Sequence, residues 1–459
     1  MALDNGAAAG YIKHINAIYI FRHIRYKWYL HMDKQEIISI LDKWNFWNQK
    51  INTGFQRSGY LGKMERYLKM PEIIALTGVR RSGKSTIILQ VIEKLIQSGV
   101  KPTNTLYVNF EEPKFGSGSN DALLPEIFDA YMEFFDPKGK VYLFLDEVQL
   151  IYKWERFAVS LHDRRENIKI FVTGSSSKLL MGEISSLLSG RYISETIYPL
   201  SFKEFLAAEN IKTAPLIKSP RIYKKLREYV EFGGFPRVAL EKDIFNKKII
   251  LTEYFNSILE KDVILKHAVK NVKDIKELIN FVLSNVANEV SSYNVEKLFG
   301  ISSQNARRYF EHLNEAFLFQ FSPFFSFSVK KQIYNPQKVF AIDTGLVNAA
   351  SFKFSDDIGR LLENIVAVEF LRRNQRLFYW KNGTEIDFVL RIGRQADELV
   401  NVCYSLNKRT LAREIESLER GLSEFKEAKA KLIYWEGKPV KHDKIEFQNI
   451  LDFLLASAD

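Results

Sequence analysis

Four short apolar runs recur along the first half of the chain: "EIIALTG" (72 to 78), "TLYVNF" (105 to 110), "VYLFLDE" (141 to 147) and "IKIFVTG" (168 to 174). Strands that are apolar throughout are buried on both faces, and strands that alternate with helices build a parallel sheet covered on both sides. The expected class is therefore α/β. "KSTIILQVIEKLIQSGV" supplies the helix after the first run, ending near Gly99 with Pro102 beyond it. Ahead of the sheet, residues 34 to 49 read as an amphipathic helix with Ile37, Ile38, Ile40, Leu41 and Trp44 on one side.

Between the first run and its helix stands "TGVRRSGKST", in which Gly78, Gly83, Lys84 and Ser85 satisfy G-x-x-x-x-G-K-[ST]. A strand before the motif and a helix after it are what phosphate binding at a helix N-terminus requires. The glycines let backbone N–H groups approach a nucleotide, so Gly78, Arg80, Arg81, Ser82, Gly83, Lys84, Ser85 and Thr86 are the nucleotide-binding candidates. Lys84 would reach the β and γ oxygens and Ser85 would ligate Mg²⁺, with ATP and Mg²⁺ as the implied cofactors. The third run ends in Asp146 and Glu147. An acid at such a strand tip holds the Mg²⁺ shell and a second acid polarises the attacking water, so Asp146 is the expected metal partner and Glu147 the general base. Thr173 and Ser175 close the fourth run where a γ-phosphate sensor would sit, although Thr, Gly and Ser are equally what turns use. Arg191, between a helix and the next strand, is placed either to neutralise phosphoryl charge in a neighbouring subunit of a homo-oligomer or to sit in a strand-start ion pair.

The chain has 459 residues, suggesting about three units at roughly 150 residues each. A formal net charge of +11 favours an anionic partner, nucleic acid ahead of a membrane surface. No apolar run approaches the roughly 18 residues that would cross a bilayer. The only cysteine is Cys403, which excludes an internal disulfide and points to a reducing, cytoplasmic setting. Residues 1 to 31 read as a tag or start-site artefact, with Met32 a natural beginning.

Taken together, "GVRRSGKST", "LYVNFEEP", "LFLDEVQ", "VTGSSSKLL", "SGRYISETIYPLSFKEF" and "FGGFPRV" resemble the prokaryotic, chiefly archaeal, AAA+ ATPases that carry a C-terminal domain of unknown function. The resemblance runs from about Trp44 through "NVCYS" and "REIESL". Residues 32 to 70 read as a helical segment, and the resemblance implies beyond it a P-loop core at 71 to 200, a helical lid at 201 to 285, a winged helix at 286 to 337 and a restriction-endonuclease-like domain at 338 to 459.

Within the fourth of these units the sequence reads as a short helix, a turn at Gly300, a longer helix from about Ser303 and an extended hairpin reaching 332. Ala306, Phe310, Leu313 and Phe317 give the second helix one apolar face, which leaves Gln304, Asn305, Arg307 and Arg308 free to meet DNA, with Lys330 and Lys331 on the wing near phosphates. Such units also serve only to pack against other domains. In the end domain, Glu363 and Asp387 match two carboxylates of a nuclease site that would share Mg²⁺. At the third element, Asn401 and Cys403 stand where an acid and a lysine are expected, with Lys408 and Arg409 the nearest substitutes. The expected function is a Mg²⁺-dependent ATPase that moves its own domains on DNA. The alternatives are a slow nucleotide-dependent switch acting on protein partners and, behind it, a DNA nuclease whose activity the missing third element argues against.

Overall fold

The computed structural model describes residues 32–115, 122–164, 167–177, 188–212, 218–351, 358–393 and 395–456. The expectation for residues 1 to 31 lies outside the described residues. Strands β1 (Ile73–Thr77), β2 (Thr105–Asn109), β3 (Val141–Asp146), β4 (Ile168–Gly174) and β5 (Tyr192–Thr196) form one all-parallel sheet in the order β2-β3-β4-β1-β5. Its two faces feed two separate apolar clusters: Ile73 and Ala75 of β1 point into one, Ile74 and Leu76 into the other. That two-sided burial is the reason these strands lack polar alternation.

Helices α1 (Lys34–Asp42), α2 (Ser58–Tyr67), α3 (Lys84–Gln97), α4 (Leu123–Phe135) and α5 (Trp154–Asp163) accompany the sheet. The first helix stops earlier than the expected 49. Asn45 Nδ2 donates to the carbonyls of Leu41 and Tyr107, both at 2.8 Å, and its Oδ1 accepts the Tyr107 N–H, so the chain hooks onto strand β2 instead of continuing helical.

Beyond β5 the described chain is helical up to 284, as the resemblance implied: α6 (Phe202–Ala208), α7 (Pro220–Phe232), α8 (Pro236–Leu240), α9 (Ile244–Ile258), a π-helical segment Leu259–Leu265, and α10 (Val272–Ser284). A small unit follows: β6 (Glu289–Val290), α11 (Ser292–Phe299), α12 (Ser303–Glu315), β7 (Phe319–Pro323), α13 (Val329–Tyr334) and β8 (Gln337–Ala341). Its strands pair antiparallel in the order β6-β8-β7. Ala306, Phe310 and Leu313 are buried as their spacing required. The expected extended hairpin is corrected here. Residues 329 to 334 form a helix whose N-terminus is capped by Ser328 Oγ accepting the Lys331 N–H, so Lys330 and Lys331 ride on a helix. Strand β8 crosses the expected boundary at 337, and the small unit runs on to Ala341.

The remainder comprises α14 (Thr344–Ala350), α15 (Ile358–Arg372), β9 (Phe378–Asn382), β10 (Thr384–Ile392), β11 (Gln395–Ser405), α16 (Lys408–Glu424), β12 (Lys429–Glu436), β13 (Ile445–Asn449) and α17 (Ile450–Leu455). Strands β9 to β11 run antiparallel and β11 to β13 parallel, giving a second, mixed sheet in the order β13-β12-β11-β10-β9. One continuous apolar core joins the helical region, the small unit and this last domain, from Leu200 through Phe310 and Phe388 to Leu454.

Asp343 caps α14 inside that core. It accepts the Gly234 N–H at 2.7 Å and the Gly345 N–H at 2.9 Å, and burial, outweighing those bonds, pushes its carboxyl up to about 6. Because the folded value exceeds the unfolded one, this group's stabilising contribution is complete below the unfolded value of 3.8 and is lost as pH rises through about 6. The difference corresponds to about 3 kcal/mol. Urea unfolding midpoints of wild type and Asp343→Asn compared from pH 4 to pH 7 should therefore converge as pH rises. Asn has an NH₂ group facing one of the two donors, which adds a penalty that does not vary with pH.

Candidate active site

The phosphate loop connects β1 to α3, and its backbone needs glycine at both ends. Gly78 has φ of 138°, and a Cβ there would fall 2.2 Å from the Ile197 carbonyl oxygen. Gly83 adopts φ of 99° as the residue before α3 and offers no side-chain cap, so the first helical N–H groups stay available to an anion. Arg57, buried and far upstream, supports the loop from behind: it donates to the Ser82 carbonyl at 3.0 Å and makes a two-pronged pair with Glu204 at 2.8 Å.

Lys84 is buried and folds back over the loop, donating to the carbonyls of Gly78 at 3.1 Å and Val79 at 3.2 Å. Its Nζ lies 3.8 Å from Glu147 Oε1. Burial lowers the Lys84 pKa and raises that of Glu147, and each charge partly restores the other. Glu147 sits just past β3 at φ of 57°, a left-handed turn that swings its side chain away from the strand direction, and Gln149 Nε2 donates to its Oε2 at 2.5 Å.

Asp146 is held differently. The Tyr107 hydroxyl donates to its Oδ2 at 2.7 Å, and the Thr173 hydroxyl donates to its Oδ1. Thr173 also accepts the Glu147 N–H at 2.9 Å, which locks the two strand tips together. Ser85 begins the first turn of α3, in the electrostatic neighbourhood of the Tyr107 hydroxyl that holds Asp146. A hydroxyl and a carboxylate are hard oxygen donors of the kind Mg²⁺ prefers.

Ser175 turns toward the helical region, where its hydroxyl donates to Asp262 Oδ1 at 2.8 Å. Asp262, on the π-helical segment, also pairs with Arg80 Nε at 2.9 Å, and Arg80 Nη1 reaches Glu111 Oε1 at 2.5 Å. Burial opposes the Arg80 charge, but Asp262 and Glu111 outweigh it and hold the guanidinium above its ordinary value. Arg81 lies over the Tyr254 ring at 5.8 Å. Sequence reasoning missed Asp262, Tyr107 and Arg57, which come from distant segments and carry no spacing signal.

Arg191 lies apart from this cluster. It precedes β5, at the opposite end of the parallel sheet from the loop that follows β1, and pairs with Asp163 through Nε at 2.8 Å and Nη2 at 3.1 Å. That is the strand-start ion pair its position allowed, and it keeps Arg191 away from this chain's own phosphate loop. The small-unit candidates split in the same way. Gln304, Arg307 and Arg308 are exposed and Asn305 is half-buried on α12, with Arg307 donating to Ser292 and Arg308 to Asn305. Lys330 and Lys331 are exposed on α13.

The end-domain residues do come together, with an unexpected member. Glu363 of α15 and Asp387 of β10 both contact Lys338 Nζ, at 2.6 Å and 3.0 Å, and Glu385 joins at 2.7 Å. Glu385 was legible, since residues two apart on a strand share a face. Asn401 accepts the Asp387 N–H at 3.1 Å and donates to Glu414 at 2.8 Å, so it braces the strand. Lys408 and Arg409 are exposed at the start of α16 and do not line the cleft beside the acids, which corrects the expectation that they substitute for the missing lysine. Cys403 is buried, and burial pushes its thiol up to about 12, as an inert core thiol requires.

Among the described residues no helix is long and apolar enough to cross a membrane. Residues 70–206 match the family described as "AAA domain", and residues 223–357 match a domain of unknown function, DUF8612. An uncharacterized protein of Methanocaldococcus jannaschii is 36% identical over 368 residues, covering 77% of this chain and 80% of that protein. An uncharacterized protein of Haemophilus influenzae is 32% identical over 407 residues, covering 87% of this chain and 98% of that one. Among solved structures, the Walker-type ATPase of Pyrococcus abyssi is similar at 15% identity and a TM-score of 0.43, covering 66% of this chain and 99% of that chain. With its parallel sheet, phosphate loop and matched AAA domain, the chain belongs to the same family as these Methanocaldococcus and Haemophilus proteins, a family of AAA-type P-loop ATPases.

Proposed function

We propose that the protein is a Mg²⁺-dependent ATPase that couples ATP binding and hydrolysis to rearrangement of its downstream domains on DNA. The observation that carries this reading is the π-helical segment. From its middle Asp262 touches both Ser175, beside the strand-tip acids, and Arg80 of the phosphate loop. Just past its end, His267 lies 3.3 Å from Glu315 on α12 and stacks on His312 at 3.7 Å between ring centroids. A π-helix is a strained insertion often found at functional positions, and here it links the nucleotide site to the helix that carries Arg307 and Arg308.

In the proposed reaction Ser85 and Asp146 would hold Mg²⁺, which would supply charge neutralisation at the phosphates. Lys84 leaves the loop carbonyls for the β and γ oxygens. Glu147 orients and deprotonates the attacking water, and its raised pKa suits a group that must accept a proton. Thr173 fixes the acids and Ser175 reports the γ-phosphate to Asp262. Helices α10 to α12 with strands β6 to β8 are read as a winged helix, whose strand order β6-β8-β7 supports that reading, and the mixed-sheet domain as restriction-endonuclease-like. Arg191 acts in trans if the protein assembles into a homo-oligomer.

The test is ATP turnover with and without duplex DNA, together with an electrophoretic shift at low salt. DNA-stimulated turnover is expected, with binding that weakens as salt rises. Replacing Arg307, Arg308, Lys330 and Lys331 with Ala should lower the salt slope by roughly one unit for each phosphate no longer neutralised. Turnover indifferent to DNA, with no shift, would sink the coupling. A slow nucleotide-dependent switch is the second reading, favoured by the Arg80 pairs with Asp262 and Glu111 that tie the loop to its surroundings. Slow turnover with copurifying ADP would support it.

A further inference from the structure

Lys338 is the most unusual buried charge in the protein. It belongs to β8, the central strand of the small three-stranded sheet, yet its side chain leaves that sheet and is 1% exposed among acids of the next domain. Glu363 arrives from helix α15, while Glu385 and Asp387 arrive from the same face of β10. Three carboxylate oxygens converge on the ammonium, at 2.6, 2.7 and 3.0 Å. The cluster lies beside an open cleft of about 790 Å³ that Glu363, Glu385 and Asp387 help to line.

Three converging carboxylates from a helix and a strand form a hard oxygen donor set, which is what a divalent cation takes. The point on which they converge is already filled. A metal ion would need bonds of about 2.0 to 2.6 Å to the same oxygens, and it could not share that space with a second cation. The residues as arranged therefore do not fit the metal that a restriction-endonuclease-like reading implies.

We propose that Lys338 is a tethered cation that has replaced a divalent ion in this cluster, so that Glu363, Glu385 and Asp387 clamp the three-stranded unit to the end domain instead of binding metal. Lys338 faces three acids, and Lys381, which reaches Glu385 at 3.8 Å, is shared with Glu289, so the cluster retains excess negative charge and repels a phosphodiester from this wall of the cleft. Removing the ammonium leaves an uncompensated, preorganised set of ligands. The lysine that the third strand lacks at Cys403 is thus supplied from outside the domain, in a position where it excludes the metal.

The test uses the full chain, chelator-treated and free of nucleotide, with Mn²⁺ as the probe in paramagnetic-resonance titrations and urea melts. Wild type is expected to bind no Mn²⁺ through these acids, so Asp387→Asn leaves its Mn²⁺ stoichiometry unchanged. Lys338→Ala is expected to gain one Mn²⁺ per chain, to lose it again when Asp387→Asn is added, and to recover part of its lowered urea midpoint when Mn²⁺ is present. If Lys338→Ala does not fold, Lys338→Ala with Glu385→Gln removes one excess charge, keeps Glu363 and Asp387, and should still gain the ion. Wild-type Mn²⁺ binding that Asp387→Asn abolishes overturns the proposal, as does a folded Lys338→Ala or double variant that gains no ion. The phosphate site plays no part in these readouts, so either outcome leaves the ATPase reading standing.

Discussion

Glu147→Gln protein is expected to bind ATP while turning it over about 10²- to 10⁴-fold more slowly, the usual contribution of a positioned general base. The change keeps the shape and the Gln149 contact, removes the ability to take a proton, and withdraws the charge that faces Lys84 at 3.8 Å. Lys84→Ala should behave differently, losing nucleotide affinity as well as rate. Its ammonium is held over the loop by the Gly78 and Val79 carbonyls, ready to transfer to phosphate, and no other cation approaches Glu147 as an ion pair among the described residues. Fluorescent-nucleotide titration and phosphate release separate the two effects. Asp146→Asn should abolish the Mg²⁺ response, because both Asp146 oxygens are already oriented by the Tyr107 and Thr173 hydroxyls. The assignment of the engine would fall if Glu147→Gln hydrolysed ATP at the wild-type rate.

The parts of this site that were legible in the sequence are those made by local spacing. A phosphate loop needs its glycines, lysine and hydroxyl within one turn of chain, and strand-tip acids follow an apolar run, so both can be read without coordinates. Asp262 gave no such signal: "LEKDVIL" is an ordinary helical stretch until the fold brings it onto Ser175 and Arg80. Lys338 is the sharper case. Nothing in "QKVFA" marks it, and only the packing of α15 and β10 makes it a buried cation. The helix at 329 to 334 was missed because the element order of a winged helix put an extended hairpin after the second helix. Ser328 as an N-cap and the four-residue spacing of Val329 and Ile333 were the signals for a helix.

Gly233→Ala is expected to be among the most destabilising single substitutions in the chain, at about 4 kcal/mol. Helix α7 ends there with φ of 72° and ψ of −163°, a conformation open in practice only to glycine, and strain of that kind alone costs roughly 1 to 3 kcal/mol. A Cβ would also land 1.9 Å from Asp343 Oδ1, on a carboxylate fixed by the Gly234 and Gly345 N–H groups. Forcing atoms into a packed site adds typically another 1 to 3 kcal/mol. The consequence is not local. Gly234 pairs its carbonyl with the Leu200 N–H at 2.6 Å at the exit of the nucleotide-binding sheet, while Asp343 begins the helix that leads toward the end domain. The two glycines of "FGGFPR" therefore join the ATPase core on one side to the C-terminal units on the other, which is why neither admits a side chain. Gly59→Ala, on α2 with open space around it, is the matched control and should be neutral or slightly stabilising. Urea midpoints and hydrogen exchange at α7 and α14 distinguish these outcomes: a Gly233→Ala protein as stable as wild type would show that this junction is loose and does not carry motion from the nucleotide to the distant domains.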